Sequence, residues 1–159
     1  MDKNFESIKP DLTVMGGYGI FGKKAVLLGF SKIGIIVTFY DSQEVKEITK
    51  KLSQESKDRG EGTFARIASS MKAGNVYIAN VSSKTIQQTL DANKENFFIQ
   101  SDDIEKIKIN KSTDSENAQD YYSIVIKTSK DKHKFNLQID GAKERTIKIY
   151  CKENYSIKI

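Results

Sequence analysis

The sequence predicts an α+β domain built on a bent antiparallel sheet or partly open barrel, with helices inserted near residues 41–73. Three observations carry this. The first forty residues are extended and unusually apolar, because "AVLLGF" (25–30) and "IGIIVTFY" (33–40) are short runs rich in β-branched and aromatic residues. Residues 41–60 then switch to a helical period. Beyond residue 96 the period returns to two.

The helical switch is well marked. Asp41 is an N-cap, Glu44 stands three residues on as a capping box requires, and Tyr40 with Val45 supplies a hydrophobic staple. Val45, Ile48 and Leu52 fall on one stripe until Gly60 ends the helix. A second short helix is expected from Phe64, Ile67, Ala68 and Met71, closed by Gly74. "NVYIANV" (75–81) reads as a strand. Ser82 is expected to cap a third helix, with Val81 and Ile86 as its staple, Leu90 one turn on, and Asn93 or Asn96 as a left-handed stop.

"ENFFIQSDDIEKIKINK" (95–111) places Asp102, Asp103 and Glu105 between two apolar stretches. Ile107 and Ile109 share a strand face, while Ile104 and Ile107 keep helical spacing, so the segment reads as strand, one helical turn, strand. The acids sit where a turn's free N–H groups want acceptors. They lack the D-x-D-x-D-G pattern of a calcium loop. "YYSIVIKTS" (121–129) and "HKFNLQI" (133–139) alternate and read as an antiparallel hairpin, with Tyr122, Ile124 and Ile126 on one face of the first strand and Phe135, Leu137 and Ile139 on one face of the second. "NKSTDSENAQD" (110–120) reads as a polar loop, and "TIKIYCK" and "YSIKI" (146–152, 155–159) as further strands.

A chain of 159 residues, 38% hydrophobic and 30% charged, suits one domain spanning 1–159. One cysteine, Cys151, excludes an intrachain disulfide framework and a four-cysteine zinc site. Alternation groups it with Ile147 and Ile149 as a buried structural thiol. His133 is the lone histidine, so most nucleophile or metal chemistry is not expected. "MDKNFESIKPDL" is polar where a secretory segment is apolar, and lysines interrupt every apolar run short of a membrane span. A cytoplasmic protein is expected. Residues 76–119 carry five Lys against seven acids, a net of −2, and residues 120–159 carry nine Lys or Arg against five acids, a net of +4. The basic tip "SKDKHK" (129–134) adds to a tilt toward phosphate-bearing partners.

Residues 83–139 resemble the second half of a pleckstrin-homology-like domain of the small prokaryotic type. The resemblance rests on the Ile99–Asp103–Ile104–Ile107 spacing and on the hairpin that follows. It implies a bent barrel closed at one end by a C-terminal amphipathic helix, whereas the tail here reads as strand. In eukaryotic relatives the phosphoinositide pocket depends on basic residues between the first strands, where Lys23 and Lys24 stand. There is no Lys-x-Arg constellation here, so the resemblance implies no lipid specificity and no chemistry in the fold itself.

A rival motif is present. Gly17-Tyr18-Gly19-Ile20-Phe21-Gly22 is a formal G-x-G-x-x-G, and Asp41 lies nineteen residues beyond Gly22. In a small dinucleotide-binding oxidoreductase, the glycines would admit a pyrophosphate at a helix N-terminus and Asp41 would hold the ribose. The intervening "KKAVLLGFSK" lacks an amphipathic stripe, which favours glycines serving turns in a curved sheet. The expectation is therefore a non-catalytic binding module without cofactor or metal. Its partner is a protein or an anionic membrane surface, and nucleic acid is not expected for want of an exposed aromatic beside the basic tip.

Overall fold

The computed structural model describes residues 3, 6–19, 22–60, 62–63 and 72–157. Among them, seven strands form one antiparallel sheet: β1 (Val14–Tyr18), β2 (Lys24–Ser31), β3 (Gly34–Phe39), β4 (Phe97–Gln100), β5 (Ile104–Asp114), β6 (Gln119–Thr128) and β7 (Lys132–Leu137). Their spatial order is β4-β3-β2-β1-β7-β6-β5, so β4 and β5 are free edges and the sheet does not close into a barrel. Among the described residues, four α-helices accompany it: α1 (Ser42–Asp58), α2 (Ala73–Ser82), α3 (Ile86–Ala92) and α4 (Gly141–Asn154). The α+β class with a bent antiparallel sheet and inserted helices is as the sequence predicts.

Chain connectivity forces the bend. Six strand spacings would separate β4 from β5 by roughly 29 Å in a flat sheet. Yet a single 3₁₀ turn, Ser101–Asp103, joins them, and four residues reach about 14 Å at most. The sheet must curl until its ends meet. The inner core reflects this, because Phe30, Ile35, Val37 and Ile99 share one cluster with Ile107, Ile124, Ile126 and Phe135. The 95–111 segment is strand, turn, strand, as its spacing indicated, and Asp102 and Asp103 lie in solvent.

Strands β2 and β3 are buried on both faces, which explains their continuous apolar runs. Leu28 and Val37 face the inner core, while Leu27 and Ile36 meet Ile8, Tyr77, Val81 and Ile86 in a second cluster beneath α2 and α3. Val45 and Ile48 of α1 pack against that second cluster, as does Tyr40. Asp41 caps α1 by accepting from the N–H groups of Gln43 and Glu44 at 3.0 and 3.1 Å. The expected reciprocal bond from Glu44 is replaced, since the N–H of Asp41 donates to the Tyr77 hydroxyl at 3.1 Å. The turn from β2 into β3 requires Gly34. Its φ is +149°, and a Cβ there would lie 2.1 Å from the carbonyl oxygen of Ile99.

Several local expectations are overturned. "NVYIANV" is helical, within α2, and Gly74 lies inside that helix rather than ending one. Packing of Tyr77 and Val81, four apart, against the second core overrides the β-branched composition. Ser82 ends α2, and the third helix is capped by Thr85, whose capping box with Gln88 satisfies two N–H groups. Asn93 is extended rather than left-handed. Asn96 is instead a buried clamp, accepting from the Phe39 N–H at 2.8 Å and donating to the Thr89 carbonyl at 2.8 Å. The stretch 110–120 is no loop: β5 and β6 remain paired as far as Asp114 and Gln119. The expected helix around Phe64, Ile67, Ala68 and Met71 lies outside the described residues.

The largest correction is the tail. Residues 141–154 form α4, whose N-cap Asp140 accepts from the Lys143 N–H. Ile147 and Cys151, four apart, are fully buried in the inner core, whereas Ile149 is 56% exposed. The printed alternation Ile147–Ile149–Cys151 is thus a helical pair with an outward residue between them. Just beyond the helix, the buried Tyr155 hydroxyl donates to the carbonyls of Ser31 and Gly34 at 2.8 and 3.1 Å, fastening the tail to the β2–β3 turn.

The two periods are separable by mutation. Ile147→Lys is expected to destabilise by more than about 3 kcal/mol by burying an unpaired charge. Ile149→Lys is expected to stay within about 0.5 kcal/mol of the wild type. Equal losses in urea denaturation would restore the strand reading.

Candidate functional site

The inner core dictates what the other face of the β5–β6–β7 sheet carries. With Ile107, Ile109, Tyr122, Ile124, Ile126, Phe135 and Leu137 buried, the period of two turns their neighbours outward. Register then assembles those neighbours into rows. Lys106 pairs with Lys127 and Lys127 with Lys132, so three lysines stand side by side across three strands. The next row is Lys108, Val125 and Lys134, and the one after it Asn110, Ser123 and Asn136. Every residue of these rows is exposed or partly exposed.

Five lysines therefore occupy two adjacent rows, within a backbone area of roughly 10 by 7 Å. Neighbouring lysines within it are closer than the ~8 Å Debye length at physiological ionic strength, so these charges repel one another with little screening. Like charges directly opposite on a sheet are destabilising. One carboxylate offsets them: Glu105, at the β-bulge that opens β5, pairs with Lys127 at 2.8 Å. All five cations are Lys, compact point charges rather than the bidentate forks of Arg. Such a face attracts a diffuse negative surface without demanding one geometry.

A trough of about 590 Å³ adjoins the lysine rows. Its floor includes Gly17, Ala25, Asn136, Ser123 and Asn110, with Lys23, Lys134 and Tyr121 around it. Gly22, just before β2, lines one side and comes close: a Cβ there, where φ is +64°, would lie 2.5 Å from Asn136 Nδ2.

The residues singled out from sequence fall in different places. Gly17 lies in β1 and Gly22 just before β2, and these strands are directly hydrogen-bonded antiparallel neighbours. Among the described residues of this connection, Gly19 and Gly22 have positive φ, and the Gly22 N–H donates to the Gly19 carbonyl at 3.0 Å. Residues 24–31 are a strand, so no helix presents its N-terminus to these glycines, and Asp41 is occupied in capping α1. The parallel strand–helix–strand geometry of a dinucleotide site is not what this segment forms. Lys23 reaches the trough, while Lys24 stands over the Phe39 ring at 5.5 Å. Cys151 is buried in the inner core, and burial pushes its thiol up to about 12. Among the described residues, no group of His, Cys, Asp and Glu is placed to hold a metal ion, and no helix is long and apolar enough to cross a membrane.

Lys106 and Lys108 were missed as partners of the basic tip, although the Ile107–Ile109 spacing already implied that they share the opposite face. Tyr121 was missed as well. It is 48% exposed on the lysine-bearing side of the sheet, so the face does have an aromatic. Comparison with family models, with curated proteins and with solved structures gives no match to this chain.

His133 points inward at the open end, beside a recess of about 390 Å³. Its ring lies 5.2 Å from that of Phe97 and 6.3 Å from that of Tyr18, whose hydroxyl is 3.4 Å from Nδ1. Burial lowers its pKa from the ordinary 6.5, with nearby Asp131 opposing in part. Below 6.5 the unfolded chain takes up a proton that the folded chain resists, so this contribution to stability is full above 6.5 and lost as pH falls through the folded value. His133→Phe is expected to remove that part of the pH dependence in urea titrations, and an unchanged slope below pH 6.5 would contradict the assignment.

Proposed function

We propose that this chain is a non-catalytic, pleckstrin-homology-like binding module of the cytoplasm, and that its lysine rows dock on an anionic membrane surface. The carrying observation is the row Lys106–Lys127–Lys132 with Lys108 and Lys134 beside it, an arrangement whose mutual repulsion an anionic surface would relieve. Helix α4 adds support, since the tail supplies the C-terminal helix that the resemblance implied. The absence of Arg from the rows favours a diffuse lipid surface over a phosphopeptide, which calls for bidentate contacts. One exposed Tyr does not make the succession of stacking rings that single-stranded nucleic acid uses.

A second reading, a protein partner, is favoured by one feature. Strand β5 runs for eleven residues and, among the described residues, pairs only with β6, leaving an edge that an extended peptide can extend. The lysines and the bulge at Glu105 are features that discourage such pairing, so the membrane reading comes first.

The full chain is expected to co-sediment with phosphatidylserine-containing vesicles, and less so as salt rises. At about 1 kcal/mol for each Lys near the surface, the double variant Lys106→Gln/Lys132→Gln should bind roughly 30-fold more weakly. Equal pelleting with neutral phosphatidylcholine vesicles, or an unaffected double variant, would overturn the proposal.

A further inference from the structure

The curl that brings the two ends of the sheet together leaves a recess on its inner side, at the open end. Tyr18 of β1, Phe97 of β4 and His133 of β7 line it, with ring centroids 5.2 to 6.3 Å apart and planes tilted by 34 to 54° to one another. The rings are held from behind, because the fully buried Phe135 stacks on Tyr18 at 5.0 Å. Two turns complete the recess. Ile104 pairs with Thr128, which sets the Ser101–Asp103 turn beside the β6–β7 hairpin tip, and Asp103 and Asp131 line the recess from those two turns. Both acids are exposed, and among the described residues neither carboxylate has a hydrogen-bond or ion-pair partner.

Rings beside unpaired carboxylates select one kind of occupant. A metal ion wants several oxygen ligands at close range, and among the described residues no group is placed to hold one. A primary ammonium is strongly hydrated and wants acceptors that rings do not supply. A phosphate or carboxylate would be repelled by the two acids, and a neutral molecule would leave them unused. An alkylated ammonium matches both parts. Its alkyl groups pack on the rings, and a charge set above the three centroids stays within the ~6 Å over which an aromatic face attracts a cation. Burial holds His133 toward its neutral form, so the rings add no positive charge of their own. Lys130 is the one ammonium among the described lining residues, against two carboxylates. The volume of about 390 Å³ lies within the usual range for small-molecule sites.

We infer that this recess binds a small organic cation bearing a quaternary ammonium group, with its alkyl groups on Tyr18, Phe97 and His133 and its charge balanced by Asp103 and Asp131. The site lies on the opposite side of the sheet from the lysine rows and does not depend on the membrane reading.

The test uses the full chain with choline as the probe. His133 is the lone histidine, so its ring C–H signals in NMR spectra report on the recess without overlap. Millimolar choline is expected to shift them saturably, and the choline methyl signal should move upfield as the rings shield it. The neutral carbon isostere, in which a tert-butyl group replaces trimethylammonium, should bind at least about tenfold more weakly. Phosphocholine, whose phosphate meets the acids, should also bind more weakly than choline. Asp103→Asn/Asp131→Asn removes both charges from exposed positions. The hairpin tip survives this change, because the Asp131 carbonyl, and not its side chain, accepts from the Thr128 N–H at 2.8 Å. The double variant should lose about tenfold or more in choline affinity. Phe97→Leu, which keeps an apolar group against the core, should lose as much.

Silent histidine signals at tens of millimolar choline, equal binding of the neutral isostere or of phosphocholine, or a folded variant of either kind that binds choline as the wild type does, overturns the inference. None of these results bears on adsorption to phosphatidylserine vesicles, so the recess and the lysine face fail separately.

Discussion

One constraint organises this molecule: both ends of a seven-stranded sheet must bury their apolar side chains in the same core. The three-residue turn at Ser101–Asp103 makes this unavoidable by tying the two edge strands together. Once the sheet curls, its inner side is sealed by Ile147, Cys151 and Tyr155. The outer side divides. Over β2 and β3 it is apolar and covered by helices, and over β5–β7 it is polar and bare. The candidate site is therefore the part of the sheet that the fold has no internal use for.

Much of this was legible in the residues. The β6–β7 hairpin, the strand–turn–strand around Asp103 and the cap of α1 are written in local spacing, and local spacing survives folding. The tail was not legible, because Ile147, Ile149 and Cys151 satisfy a period of two and a helical pair at once, and only burial of Tyr155 beside them decides between the two. The same ambiguity hid α2, where Val76, Ile78 and Val81 look strand-like until Tyr77 and Val81 find the second core. The polar 110–120 stretch was misjudged for another reason. A ladder can continue through polar residues when cross-strand contacts such as Lys111–Asp120 hold it.

The lysine face illustrates a further limit. Each of its residues is unremarkable in sequence, where a solvated lysine on a strand is common. Significance arises from register, which sets Lys106 of one strand beside Lys127 and Lys132 of two others. The glycine motif is the converse case: conspicuous as a string, it resolves into a hairpin turn whose glycines give the backbone room near Asn136.

The crowding of cations has a consequence for how the protein responds to its medium. Dissolved ions shield Lys106, Lys127 and Lys132 from one another and so strengthen the folded sheet, yet the same ions weaken the pull of those groups on a charged bilayer. Ionic strength thus drives resilience and adhesion in opposite directions, and the chain is least robust under the conditions in which it holds its surface best.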